Sequence, residues 1–521
     1  IAVRTAFKKM YDDGLIYRDY RIVNWCPHCY STLSDDEVEY KEKKAVLYTF
    51  KYAKDFPFAI ATTRPETKLG DSAVAVHPND ERYKAYIGEI FTIDLGHGEQ
   101  TIKVIADEAV DPAYGTGALG VTPAHSMTDY DMAKKNDLAL IKVINEDGTM
   151  TKEAGLSYAG LKVKEARAKF VDWLKNEGLL LKEEEVDQNL SICYRCARPV
   201  EPLPSLQWFV NVNKAFILPH SNIKGIAAGQ QTTLKELMHA VVQNGQIQIV
   251  PERFEKTYFH WIENLRDWCI SRQIWYGHQI PVWYRGEEIY TGVEGPEGAG
   301  WEQDPDTLDT WFSSGLWTFS TLGWPEETED LRTYHPTAIL ETGYDILFFW
   351  VARMILMSTY LLGDIPFKNV YLHGLVRDER GRKMSKSIGN VIDPLDMIKI
   401  YGTDATRMSL IIGTSPGNDM KLSEDKIKAY KHFANKIWNI TRFVVSNTEG
   451  VDLSAKPALS DHDKKNVEEL DELVADITKE IEQYHFYLAG EKLYHYVWRR
   501  FADAIIEESK PRLYGHNASE K

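Results

Sequence analysis

The sequence predicts an α/β protein with an all-β insertion in its first half and a helical bundle at its C-terminal end. Three observations carry this. Between about residues 40 and 160, short alternating runs are separated by Gly, Pro and Asp turns; examples are Val46-Leu47-Tyr48-Thr49-Phe50, Phe58-Ala59-Ile60-Ala61, Ala73-Val74-Ala75-Val76 and Ile102-Lys103-Val104-Ile105. Many short strands with such turns are the signature of a barrel-like domain. From 200 to 420, helical stretches mix with apolar strand-like runs at 247–250 and 370–372, as α/β architecture requires. Beyond Glu424 the chain is almost purely helical, with Val467, Leu470, Leu473, Val474, Ile477 and Ile481 on one face.

Taken in order, residues 1–20 read as a helix, with Val3, Phe7, Met10 and Tyr11 at i, i+4, i+7, i+8 spacing. An extended piece at 21–25 leads into Cys26-Pro27-His28-Cys29. The β texture then runs to an acidic helix expected over 163–187, after which comes Cys193-Tyr194-Arg195-Cys196. The expected division is 1–38 and 191–420 as two segments of one domain, 39–190 as the insertion, and 421–521 as part of a helical bundle.

The chain has 521 residues, 44% apolar and 26% charged, with 61 basic and 77 acidic side chains giving a net charge of −16. This balance argues against a protein that coats nucleic acid or anionic membrane nonspecifically. Five cysteines rule out a disulfide-stapled secreted scaffold and suit a reducing, cytoplasmic setting. No secretory signal is visible. The apolar run 346–362 contains Arg353 and has no companion span, so it is expected to be a buried helix rather than a membrane crossing.

Cys26 and Cys29, with Cys193 and Cys196, form two C-x-x-C knuckles, a donor set suited to tetrahedral Zn²⁺. The 163 residues between them are far too many for an isolated zinc ribbon, unless a whole domain is inserted between its halves. A redox pair is the rival reading. His28 is expected to be exposed and Cys269 to lie in the core.

Gly115-Thr116-Gly117-Ala118-Leu119-Gly120 matches G-x-G-x-x-G, but Pro123 interrupts any helix opening at Gly120. The dinucleotide-binding reading therefore fails, since it needs a helix N-terminus for the pyrophosphate. The glycines instead suit tight turns around a pocket.

Lys383-Met384-Ser385-Lys386-Ser387 follows Arg377, Arg380 and Arg382 in a Gly-containing loop. Two lysines on a small-residue loop suit a triphosphate whose charge shifts as pyrophosphate leaves. The string resembles the KMSKS signature of class I aminoacyl-tRNA synthetases. The segments 341–354 (Glu-Thr-Gly-Tyr-Asp-Ile-Leu-Phe-Phe-Trp-Val-Ala-Arg-Met), 308–314, 270–273 and 390–396 resemble the valyl branch of that family rather than the isoleucyl one. The resemblance implies a Rossmann-like catalytic domain, an inserted editing β-barrel and an anticodon-binding bundle. It implies valine, ATP with Mg²⁺ and tRNA(Val) as substrates of a cytoplasmic, monomeric ligase with no membrane partner. Lys383, Ser385, Lys386 and Ser387 would serve catalysis, with His373, Gly374, Lys383 and Lys386 at ATP. Asp345 would hold the valine ammonium, while Trp311, Ile346 and Trp350 would wall its side chain.

Ala61-Thr62-Thr63-Arg64-Pro65-Glu66-Thr67 and Thr122-Pro123-Ala124-His125 through Asp129-Tyr130 resemble the editing domain. Editing answers a physical problem: an apolar pocket cannot strongly reject threonine, an isostere of valine, and the valyl enzyme is the standard example of a second hydrolytic sieve. Asp129 would pair with the threonyl ammonium. Thr62, Thr63 and Thr67 would offer hydroxyls to ribose and attacking water, Arg64 would brace the loop, and His125 would either position substrate or be structural. Two departures stand out, because the valyl pattern usually has Lys where this chain has Gly120 and Asp where it has Ser126.

No His-x-Gly-His string occurs, although class I enzymes use one at the ATP phosphates. The sequence therefore reads as a fragment with impaired activation, incomplete at both ends. A stand-alone editing deacylase and a non-catalytic tRNA-binding module are the alternatives. Local basic stretches still suit RNA. Residues 377–386 carry five basic and two acidic groups, and 425–442 carry five against one.

Overall fold

The computed structural model describes residues 1–384, 389–451, 454 and 458–515. Helix α1 (Ala2–Asp12) buries Ala6, Phe7 and Met10 and stops before Gly14, whose φ is +68°. The helix expected over 1–20 is thus too long. Strand β1 begins at Ile16 and runs to Cys26, because 16–25 pairs residue for residue with β10 (Glu201–Val210). A glycine in left-handed geometry ends a helix cheaply, and sheet pairing outweighs local helix propensity. Strand β2 (Ser31–Leu33) completes the other edge of β1.

The insertion leaves and returns at one place. Strand β3 (Val38–Phe50) pairs antiparallel with β9 (Leu180–Cys193) from Val38↔Cys193 to Phe50↔Leu180. The acidic helix expected over 163–187 is corrected accordingly. Helix α3 spans only Val163–Asn176, and Gly178 (φ +69°) turns the chain into β9. Glu and Lys favour helix locally, but the ribbon offers cross-strand partners such as Lys44 to Asp187, 2.8 Å away.

Strand β4 (Ile60–Thr62) pairs with β3. A second sheet holds β5 (Ala73–Val76), β6 (Ile90–Asp94), β7 (Glu99–Ala106) and β8 (Ala118–Val121) in the order β6-β7-β5-β8. The two sheets enclose one core, with Phe50, Ile60, Val74, Val76, Ile102 and Val104 facing Phe170 and Leu174 of α3. Strand period two sends Ala73 and Ala75 the other way, where they meet Ile105, Val121 and Met132. Met132 belongs to α2 (Met127–Asn136), which covers that outer face.

The larger core centres on a parallel sheet, with Phe367–His373 between Gln248–Val250 and Thr337–Gly343. Helix Ala352–Leu361 connects two of these strands and has every residue buried. The run Tyr344–Leu361 is long and apolar enough to cross a membrane by composition, yet it packs with α1, β10 and the sheet in one core. Arg353 is accommodated by stacking 4.0 Å from the Trp268 ring centroid. Arg272 is buried between Glu37 (2.9 Å) and Asp309 (3.0 Å), tying the segment behind β2 to residues 308–314.

The C-terminal region holds long helices Glu424–Asn447 and Asp461–Glu482. On the latter, Ile477 is buried while Val467, Leu470, Val474 and Ile481 are exposed.

Candidate functional sites

The first site lies at the carboxyl ends of the parallel strands, where open α/β sheets bind ligands. Gly343 and His373 are register partners there. The chain turns at Tyr344–Ile346 and enters a π-helical turn, Leu347–Val351. This places Asp345 in an exposed position, with one carboxylate oxygen so near Gly343 that a Cβ there would collide with it. Ile346, Trp311 and Trp350 are half-buried. Trp311 packs on Phe349 with centroids 5.4 Å apart, and Trp350 packs on Trp317 at 5.8 Å and donates its indole N–H to the Ser314 carbonyl at 3.1 Å. The aromatic wall is therefore built from the helix Thr310–Ser314 and the turn after Asp345.

His373 Nε2 lies 3.3 Å from Glu341. A Cβ on Gly374 would overlap the Asn418 carbonyl, so the chain passes there only as glycine. Asp419, next along, accepts from the Leu375 N–H and the Tyr344 hydroxyl (both 2.9 Å) and pairs with Arg377. Arg377 bridges by its backbone to Lys383. Asp419 thus links the turn bearing Asp345 to the strand leading into the basic loop. That loop is organised by Asp378, which accepts from the Arg380 and Arg382 N–H groups, the Arg382 side chain and Asn390. The Asn390 hydrogen bond, with the Arg382 contacts, holds the Asp378 carboxyl well below the usual carboxylate range. Ser385, Lys386 and Ser387 lie outside the described residues.

The second site is in the insertion. Strand β4 ends at Thr62, whose hydroxyl accepts the Arg64 N–H at 3.0 Å, and Thr67 donates to the Arg64 carbonyl at 2.9 Å. Thr63 receives a hydrogen bond from Gln188 at 3.1 Å. Arg64 pairs with Glu201 and approaches Glu66 (3.8 Å), which Arg167 grips through two 2.7 Å bonds. Asp129, in the first turn of α2, is buried; its carboxylate accepts the Thr122 N–H at 2.8 Å and the Ser126 hydroxyl at 2.9 Å.

His125 is buried between these parts. Its Nε2 accepts the Val143 N–H at 2.9 Å and its Nδ1 faces the Pro202 carbonyl at 3.3 Å. Burial, reinforced by Arg64, lowers its pKa from 6.5 to about 3. A neutral imidazole with both nitrogens engaged ties two segments together. Gly115 and Gly117 have positive φ and Gly120 lies in β8, so the G-x-G-x-x-G string forms a turn and a strand.

A third cluster lies where β1 and β9 end. The sulfurs of Cys26, Cys29, Cys193 and Cys196 all lie within 4.8 Å of one another. A ZnS₄ tetrahedron needs sulfurs about 3.8 Å apart, so the four residues fit a zinc ion. Tyr30 and Ala197, just past each knuckle, take left-handed φ values of 57° and 55°, and the Cys29 N–H donates to Cys26 Sγ at 3.3 Å. Burial pushes the Cys26 and Cys29 thiols up in the metal-free protein. His28 is exposed and Cys269 is buried.

The family model for tRNA synthetases class I (I, L, M and V) matches residues 1–298 and 294–423, and that for the anticodon-binding domain of tRNA ligase matches 463–521. The chain belongs to the class I tRNA synthetase family. It is 46% identical across its whole length to the protein named Valine--tRNA ligase from Clostridium acetobutylicum, covering 58% of that relative. Over 98% of the chain it is 47% identical to the Valine--tRNA ligase of Thermotoga maritima, again covering 58% of it. The chain thus spans under two thirds of the length of these relatives. Among solved structures, the Agrobacterium radiobacter K84 LeuRS in its ternary complex aligns with 96% of this chain and 68% of its own, at TM-score 0.49 and 16% identity.

Several residues of this synthetase chain's sites carry no motif. Asp419, Arg167 and Glu201 lie far in sequence from the groups they hold, and nothing local marks them. Asp378 and Asn390 flank the signature loop, and their pairing closes it. Lys68 and Asp71 lie one and four residues past Thr67, and only the structure shows that they are buried and paired.

Proposed function

We propose that this chain carries the valine pocket, the ATP signature loop and the editing pocket of a valine–tRNA ligase. The observation that carries the reading is the carboxyl edge of the parallel sheet, where Asp345 and His373 both lie close to Gly343 and the turn that follows carries Ile346, Phe349, which packs on Trp311, and Trp350. An exposed carboxylate on the same turn as half-buried aromatic residues suits an ammonium group on a short apolar side chain. The 46% identity to proteins named Valine--tRNA ligase supports the choice of amino acid.

In this reading residues 1–38 and 191–420 form the catalytic domain, 39–190 the editing domain and 421–521 part of the anticodon-binding bundle. His373, Gly374 and Lys383, with Lys386, Ser385 and Ser387, would hold ATP bound as its Mg²⁺ complex. Lysine charge there stabilises the pyrophosphate as it departs. Cys26, Cys29, Cys193 and Cys196 would hold a structural Zn²⁺. The protein would act on tRNA(Val) in the cytoplasm as a monomer. In the second pocket Asp129 would receive the ammonium of a mischarged threonyl group. Thr62 and Thr63 would face the terminal ribose and water, while Arg64, Thr67 and His125 would hold the walls.

Two measurements test this. Calorimetric titration with a non-hydrolysable valyl-adenylate analogue is expected to show binding that Asp345→Ala weakens at least tenfold; unchanged affinity overturns the assignment. Deacylation of threonyl-tRNA(Val) is expected to fall at least tenfold in Asp129→Ala, and equal rates reject the editing role.

A further inference from the structure

A buried polar cluster lies next to Thr122 in the second site. Lys68 is 5% exposed, Asp71 and Tyr52 are fully buried, and Thr122 is 1% exposed. The Lys68 ammonium donates to the Gly120 carbonyl at 2.6 Å and to Thr122 Oγ1 at 2.7 Å, and lies 3.3 Å from Asp71 Oδ1. Its three protons are thereby all used. Asp71 also accepts the hydroxyls of Thr122 and Tyr52. The group is closed, and an apolar replacement at its centre would strand several acceptors away from water.

Its edge is Thr122. The hydroxyl of that residue belongs to the cluster, while its backbone N–H donates to Asp129 Oδ2 at 2.8 Å. The ammonium at position 68 therefore fixes the residue that aims the Asp129 carboxylate. The geometry also explains Gly120. A Cβ at that position would collide with Asp71 Oδ2 and the Tyr52 hydroxyl, so no side chain can project from β8 there. The cation next to that point enters from the segment Pro65–Gly70 instead.

We propose that Lys68, carried on the helical turn Pro65–Gly70, is a positioning residue of the editing pocket: its ammonium, bonded to the Gly120 carbonyl and the Thr122 hydroxyl, orients Asp129 through Thr122. The proposal rests on the editing reading for its catalytic consequence but not for its structural one.

The full chain is compared with Lys68→Met, and with Thr122→Val as an isosteric variant that breaks the link while leaving Lys68 and Asp71 in place. Amide hydrogen exchange is expected to quicken at least tenfold across residues 118–130 in both variants, with 38–50 and 180–193 unchanged. Deacylation of threonyl-tRNA(Val) is expected to drop tenfold or more in Lys68→Met through kcat, with little change in KM. The same substitution in an Asp129→Ala background is expected to cause no further loss, because both act at one carboxylate. Unaltered exchange in 118–130, or additive losses in the double variant, overturns the proposal. Should the unmodified chain deacylate nothing, the editing reading fails, and the exchange comparison alone decides the role of Lys68.

Discussion

His125 gives the sharpest physical prediction. In the folded protein its pKa falls from 6.5 to about 3 because the ring is buried and Arg64 lies nearby. The unfolded segment takes up a proton below pH 6.5, whereas the native one does not until about pH 3. Stability contributed by the neutral ring is therefore complete above pH 6.5 and is lost progressively as pH falls toward 3, at about 1.4 kcal/mol per pH unit. Between pH 7.5 and pH 5 the loss is about 2 kcal/mol, or roughly a thirtyfold rise in the local opening constant. The Val143 amide, bonded to Nε2, reports this directly: its exchange, corrected for intrinsic rate, is expected to show that rise. Ring-proton NMR, with the His125 signal assigned through its disappearance in His125→Asn, is expected to show no titration between pH 8 and pH 5. A midpoint near 6.5 in the folded protein would refute the structural role and reopen acid–base chemistry at this residue.

Two further outcomes follow from the geometry. One equivalent of zinc is expected to co-purify and to be lost in Cys193→Ser, with a lower thermal midpoint; metal-free protein of unchanged stability would count against the site, since binding free energy at such clusters is folding free energy. Gly374→Ala is expected to lower stability by about 2 kcal/mol or more through overlap with the Asn418 carbonyl. An unchanged melting midpoint would show that the two loops can separate freely.

Much of the architecture is legible in the sequence. The two C-x-x-C pairs bracket the β texture because a ribbon brings Val38 and Cys193 side by side, and that juxtaposition makes a long insertion compatible with one cluster. The arginine in 270–273 and the aspartate in 308–314, both parts of the family resemblance, meet as the Arg272–Asp309 pair. Two elements were not legible. The charged strand Leu180–Cys193 and the strand opening at Ile16 carry local helix signals, and only their partners β3 and β10 make them strands.

The sequence by itself determined the class of fold and where the β texture enters and leaves the chain, since these follow from period, punctuation and motif. Tertiary structure alone decided how the site residues are held. It placed a neutral His125 between two segments, closed the basic loop on Asp378 and brought Asp419 to Tyr344. It also put the Lys68 ammonium beside Gly120 and Thr122. Such contacts depend on burial and on partners remote in sequence, and a hydrogen bond between distant residues has no period or spacing to announce it.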